Sequence, residues 1–154
     1  MKNDSRPSLR IATPHDIPAI FSIRTSVTEN HLDLDQLARR GVTPESMAEA
    51  FASTDSSTWV VEGPEGIGGF STADLKSGSI FAVFVSPAAE GRGYGRALLE
   101  AAEAWLFAGG WDRISLQTAE DPGNRAHTFY RASGWELAGP ADHGDVRYEK
   151  SRTR

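Results

Sequence analysis

Six consecutive apolar residues, Ile80 to Val85, stand between Gly78 and Pro87, and this unbroken run predicts a strand buried on both faces. A glycine-rich turn follows, from Glu90 to Arg96, and then the period lengthens to that of a helix. Leu98, Ala101, Ala102 and Trp105 share one face, Glu100 and Glu103 occupy the other, and Gly109-Gly110 ends the segment. Upstream, Leu9 to Ala12 reads as a short strand. Thr13 or Asp16 caps a helix that packs by Ile17, Ile20 and Phe21, carries Arg24 on the same face and ends near Thr25. Pro18 favours Asp16 as the cap, because proline is tolerated only in a first turn.

The polar stretch 26–42 offers Leu32, Leu34 and Leu37 as anchors for a short helix before Gly41, and Thr43-Pro44 opens another with Met47, Ala50 and Phe51 apolar. Ser57 to Glu62 and Ile67 to Ala73 form a hairpin about Gly63–Gly66, with a bulge suggested by Gly68-Gly69. Arg113 to Thr118 alternates as a strand. A last helix with Ala126, Phe129, Tyr130 and Ser133 on one face stops at Gly134, and Trp135 to Ala138 and Asp145 to Lys150 are further strands. One mixed α/β sheet with helices on both faces accommodates this order.

Composition bounds the chemistry. At 154 residues the chain is read as one domain spanning 1–154, with residues 1–7 loose, and it can bury a substantial core. Sixteen basic against 21 acidic residues give a formal charge of -5, which disfavours nucleic acid and mildly favours cationic substrates such as amines. With no cysteine there is no disulfide, thiolate metal site or Cys nucleophile; the four histidines show no metal spacing, so no metal is expected. No apolar run approaches membrane-spanning length and the start lacks a signal-like segment, which makes the cytoplasm the default address, without a membrane partner.

The strand, glycine turn and helix together make an anion site. The first amides of a helix lack intrahelical partners, the peptide dipoles place positive charge there, and glycines let backbone approach a ligand. Arg92 and Arg96 add full charges, and the inferred ligand is a diphosphate. The nucleotide-loop pattern G-x-x-x-x-G-K-[ST] is absent and G-x-G-x-x-G fails from either Gly91 or Gly93. What does match is [QR]-x-x-G-x-[GA] before a long apolar helix, here E-G-R-G-Y-G-R-A-L-L. That resembles the acetyl-coenzyme A loop of the Gcn5-related N-acetyltransferases. A second segment, GNRAHTFYRASGW from Gly123 to Trp135, resembles the other recurring motif of that family.

The resemblance covers nearly the whole chain. It implies a mostly antiparallel sheet of about six or seven strands, splayed between the fourth and fifth and flanked by about four or five helices. It implies acetyl-coenzyme A as acyl donor, held by Gly91, Arg92, Gly93, Tyr94, Gly95 and Arg96, by the backbone of Val83, Phe84 and Val85, and by Asn124, Ala126 and Tyr130. Two departures stand out: Glu90 replaces the usual Gln or Arg, and Asn124 falls one residue late. The carboxylate of Glu90 is expected to turn away from the diphosphate.

Tyr130 is the candidate general acid. A thiol titrates at roughly 8.5 and a tyrosine at roughly 10, so protonating the departing thiolate is uphill by only about 2 kcal/mol. The base is open: the apolar strand offers none, so Glu29 and His31 are the first candidates, Glu120 and His127 the next, and a water chain would also serve. The reading is an N-acetyltransferase using a primary amine of a small molecule or peptide in direct attack, since no Cys exists to carry an acyl group. A non-catalytic acyl-CoA-binding sensor and an unrelated phosphate binder are the alternatives. A homodimer is compatible with the family.

Overall fold

The computed structural model describes residues 7–27, 32–120 and 125–152. Seven strands form one sheet: β1 (Ser8–Ile11), β2 (Ser56–Gly63), β3 (Gly66–Asp74), β4 (Ser79–Val85), β5 (Arg113–Ala119), β6 (Glu136–Pro140) and β7 (Asp145–Ser151). Their order across the sheet is β1-β2-β3-β4-β5-β7-β6, with every pair antiparallel except β4 and β5. Among the described residues five α-helices accompany it: α1 (Ile17–Ser26), α2 (Leu34–Arg39), α3 (Pro44–Ala52), α4 (Tyr94–Ala108) and α5 (Arg125–Ala132). The crossover from β4 to the parallel β5 runs through α4, as a parallel neighbour requires.

Each face of the sheet has its own core. Leu98, Leu99, Ala102 and Leu106 of α4 pack with Trp59, Val61, Ile80, Ile114 and Tyr148. On the opposite face Ile20 and Ile23 of α1 pack with Val60 and Phe70, with Met47 and Phe51 of α3 against them. The α1 face expected from spacing is realised, and Ile17, Ile20 and Phe21 are buried. Asp16 caps differently from the expectation. Its carboxylate reaches back to the Thr13 N–H at 2.8 Å and takes a bidentate pair from Arg10 at 2.8 and 3.0 Å, so the helix is entered through a turn of 3₁₀ helix, Pro14–Asp16.

Two further expectations are corrected. Glu103 is not on a solvated face: it is buried, accepts from the Trp135 indole N–H at 2.9 Å and pairs with Lys150 at 2.9 Å. Helical spacing shows the register of a residue but not the cation that a distant strand brings to it. Nor is β4 buried on both faces. Of its residues only Ile80 is buried, and Phe81 is 65% exposed.

The reason lies in the pairing. β4 is registered with β5 at only two positions, Ser79↔Ser115 and Ile80↔Leu116. On its other side Ala73 pairs Ile80 and Thr72 pairs Ala82, which leaves Phe81 as a bulge residue. A bulge bends and twists its strand. The sheet therefore parts from Phe81 onward, and the rest of β4 borders a cleft where a neighbouring strand would otherwise lie.

The expected bulge in β3 is also present, between Val61↔Gly69 and Glu62↔Ile67, with Gly68 extra. A Cβ on Gly68 would lie 2.7 Å from the ring of Tyr94, so glycine there admits the first side chain of α4 beneath the hairpin.

Candidate active site

The splay opens into a cleft of about 1250 Å³, walled at one end by α1–α3 and at the other by the turn into α4, with α5 beside it. Gly91 and Gly93 adopt φ of 79° and 80°, where a side chain is strained, and nothing lies within 4 Å of where their Cβ atoms would be. The first hydrogen bond of the helix runs from the Ala97 N–H to the Gly93 carbonyl at 3.2 Å. The amides of Tyr94, Gly95 and Arg96 therefore precede the intrahelical ladder and sit at the positive end of a 15-residue helix. Gly95 differs from its neighbours. A Cβ there would meet Phe129 and Val85 at 3.6 Å, an ordinary contact, in keeping with the glycine-or-alanine choice of the motif.

The side chains of the turn are arranged less simply than its backbone. Arg92 is held by the Tyr94 hydroxyl and pairs with Glu65 at 3.0 Å, so it leans toward the β2–β3 hairpin. Arg96 borders the cleft and pairs with Glu100 one turn on, at 3.2 Å. The ring of Tyr94 is buried against the hairpin glycines Gly63 and Gly68. Glu90 borders the cleft as well; Arg125 at the start of α5 grips both its oxygens at 2.9 and 3.1 Å and lowers its pKa. The carboxylate at this unusual position is thus neutralised by a guanidinium, which spares an incoming anion most of the repulsion.

Val83, Phe84, Val85 and Ala126 all line the cleft. Among the described residues β4 has no registered partner on the β5 side beyond Ile80, so its backbone can accept an extended ligand as an added strand. Tyr130 is buried beside Phe129, Trp135 and Tyr148, with centroid separations of 5.3, 6.2 and 5.8 Å, and it also lines the cleft. The Schellman-type end of α5, with the Trp135 N–H on the Tyr130 carbonyl at 3.0 Å, fixes this stack. Burial raises the pKa of Tyr130. The shift keeps the phenol protonated through the neutral range.

His127 is committed to structure. The carbonyl of Ala119 can only accept, so the imidazole Nε2–H donates to it at 2.8 Å, and Nδ1 shares a hydrogen bond with the Tyr148 hydroxyl at 2.7 Å. Glu120 is exposed. Glu29, His31 and Asn124 lie outside the described residues. Among the described residues no group of three or more His, Cys, Asp or Glu could hold a metal ion, and no helix is long and apolar enough to cross a membrane.

Sequence reasoning missed two charged residues at this cleft. Arg24 was legible as a charge on an otherwise apolar helix face, but its seat over the ring of Phe84, 4.2 Å from the centroid, was not. Arg125 carries no signal among its sequence neighbours, and its partner Glu90 comes from 35 residues away.

The fold has many solved counterparts. PaiA N-acetyltransferase from Thermoplasma acidophilum, in complex with coenzyme A, superposes with a TM-score of 0.80 at 14% identity, over 96% of this chain and 99% of that one. An acetyltransferase of the GNAT family from Staphylococcus aureus Mu50 gives 0.77 at 15%, over 95% and 99%. The ribosomal-protein-S18-alanine N-acetyltransferase from Escherichia coli gives 0.73 at 15%, over 97% and 96%. No curated protein sequence matches the chain significantly. The family model for acetyltransferases of the GNAT family matches residues 26–135, which takes in the parted strand, the glycine turn, α4 and α5, and the chain belongs to that family.

Proposed function

We propose that this protein is an N-acetyltransferase that carries the acetyl group of acetyl-coenzyme A to a primary amine by direct attack in a ternary complex. The observation that carries this reading is the continuity of one cleft. The unpartnered edge of β4, the amides at the start of α4 and the phenol of Tyr130 all border it. The residues fit the donor: the amides of Tyr94, Gly95 and Arg96 suit a diphosphate, and the β4 backbone from Val83 to Val85 suits the amides of a pantetheine arm. The donor supplies a thioester, whose carbonyl carbon is the electrophile.

Tyr130 is the proton donor to the departing sulfur, and a β4 N–H polarises the carbonyl being attacked. The amine must arrive neutral. Glu29 and His31, on the segment that follows α1, are the proposed bases, with water in the cleft as the other route.

Two measurements test this. Coenzyme A at about 100 times its Kd stabilises the fold by about 2.7 kcal/mol, a melting shift of several degrees. Thiol release from acetyl-coenzyme A over an amine panel then reads the chemistry. Binding without release for any amine would make the protein a sensor of acyl-coenzyme A, and the absence of both would remove the donor from the reading.

A further inference from the structure

Tyr130 carries the proton in the proposed reaction, yet nothing bonded to its own hydroxyl aims it. Among the described residues that oxygen has no hydrogen-bond partner, and no buried side-chain oxygen or nitrogen there is left unpaired, so it opens to the cleft that Tyr130 lines. The ring is set instead by its neighbours Phe129, Trp135 and Tyr148. Tyr148 is tied to His127. Trp135 is tied to Glu103: its indole N–H donates to Oε2 at 2.9 Å, from a ring that is 2% exposed and stands edge-on to Tyr130 at an interplanar angle of 62°.

Glu103 is in turn held from its other oxygen. Lys150 of β7 donates to Oε1 at 2.9 Å and to the Ser133 carbonyl, just past the end of α5, at 2.8 Å. A carbonyl at a helix end lacks an intrahelical partner, and the dipole favours an ammonium there. A carboxylate on α4 and an ammonium on β7 thus fix the segment Ser133–Trp135 at two points, directly after the helix that carries the phenol. For stability alone such a pair gains little. Taking two charges out of water costs several kcal/mol per ion, and apolar replacements of similar volume are often neutral or better. What the pair supplies that two apolar side chains would not is direction, an acceptor at a fixed point for the indole N–H.

We propose that Glu103, with Lys150 as its counter-ion, is a positioning residue that fixes the angle of the Trp135 ring and, through it, the aim of the Tyr130 hydroxyl at the departing sulfur. This rests on the acetyl-transfer reading with Tyr130 as proton donor, and adds to it a part that touches no substrate, since Glu103, Trp135 and Lys150 do not line the cleft. A hydroxyl aimed by packing is only as well placed as the rings around it, and an error of about 1 Å can cost about 100-fold in rate.

The test pairs kinetics with a spectroscopic signature. Glu103→Leu/Lys150→Met replaces the pair by apolar side chains and should melt within a few degrees of the wild type. Its kcat for thiol release from acetyl-coenzyme A, with the fastest amine of the panel, should fall about 10-fold, while the KM for amine and the Kd of coenzyme A stay put. Trp135→Phe keeps a ring, removes the donor and leaves the ion pair in place; it should lower kcat several-fold. Glu103→Gln keeps an oxygen for the indole and should retain most of the rate. With Tyr130→Phe already present, none of these changes should lower kcat further, because each acts through the phenol. The chain has three tyrosines. In isotope-labelled protein the Tyr130 ring resonance is therefore identified by its loss in Tyr130→Phe, and it should shift in the double variant and in Trp135→Phe while that of Tyr94 does not. An unchanged kcat, or an equal fall with Tyr130 already replaced, would overturn this inference and leave acetyl transfer standing. Without thiol release from the wild type the transfer reading falls instead, and the resonance alone then decides whether Glu103 aims the phenol.

Discussion

The two ends of the cleft are made of different material. At the α4 end the groups that border the cleft are main chain: amides ahead of the helical ladder, glycines at φ near 80°, and the edge of a strand that has parted from its neighbour. At the α1–α3 end the cleft is lined by side chains, with the Arg24 guanidinium over an aromatic ring and an apolar wall assembled from three short helices. A backbone-built site serves any member of a family that shares the donor, because it survives most substitutions. A side-chain site can change its acceptor one residue at a time without touching the other end.

Variants can sharpen or break that division. The largest effect is expected between the ends, at Tyr130: Tyr130→Phe should lower kcat about 100-fold and leave the Kd of acetyl-coenzyme A unchanged. Equal turnover would take the phenol out of the mechanism.

Next come the glycines of the backbone end. Gly93→Val should cost roughly 1–2 kcal/mol from its left-handed φ and raise the Kd of coenzyme A more than about 10-fold, with the KM for amine unmoved. Gly68→Ala acts from beneath, by pressing on Tyr94, and should destabilise by about 2 kcal/mol in urea unfolding while weakening the same ligand. If either altered amine selectivity instead, the two ends would not be separable.

The pH dependence probes the entry to α1. The bidentate pair with Arg10 lowers the Asp16 pKa, so the stability it confers is present above roughly pH 3.9 and is lost as pH falls through its lower folded value. Asp16→Asn should therefore be less stable than the wild type by about 1–2 kcal/mol at pH 6, a gap that closes as pH falls through the lowered Asp16 pKa. A gap that persisted at low pH would assign the loss to packing.

The smallest effect is at Glu90. Glu90→Gln releases Arg125 toward the anion and should tighten coenzyme A by no more than about 1 kcal/mol, fading as salt is raised.

The same division explains what could be read from residues alone. The strand, turn and helix around Gly91–Arg96 were legible because local backbone chemistry leaves its mark in contiguous letters: an apolar run, alternating glycines, then a 3.6-residue period. The α5 end was legible too, since Gly134 at φ 90° is the stop that its position promised. What could not be read were partnerships between distant segments. Glu103 looked solvated because Lys150 lies 47 residues away, and nothing near Arg92 in the chain announced that Glu65 and Tyr94 draw it toward the hairpin. The apolar run from Ile80 to Val85 promised burial, and its openness comes from a register slip opposite Thr72 and Ala73.

That slip also sets a rule about length. Ile80, Val83 and Val85 face α4, whereas Ala82 and Phe84 face α1, so the odd–even parity of the strand reverses at Phe81. Exchanging one apolar letter for another along this segment leaves the wedge in place. Inserting or deleting a single residue would swap the two walls, send Phe84 to the wrong side and strand Arg24 without its platform. The width of the opening is therefore written in the number of residues, not in their identities.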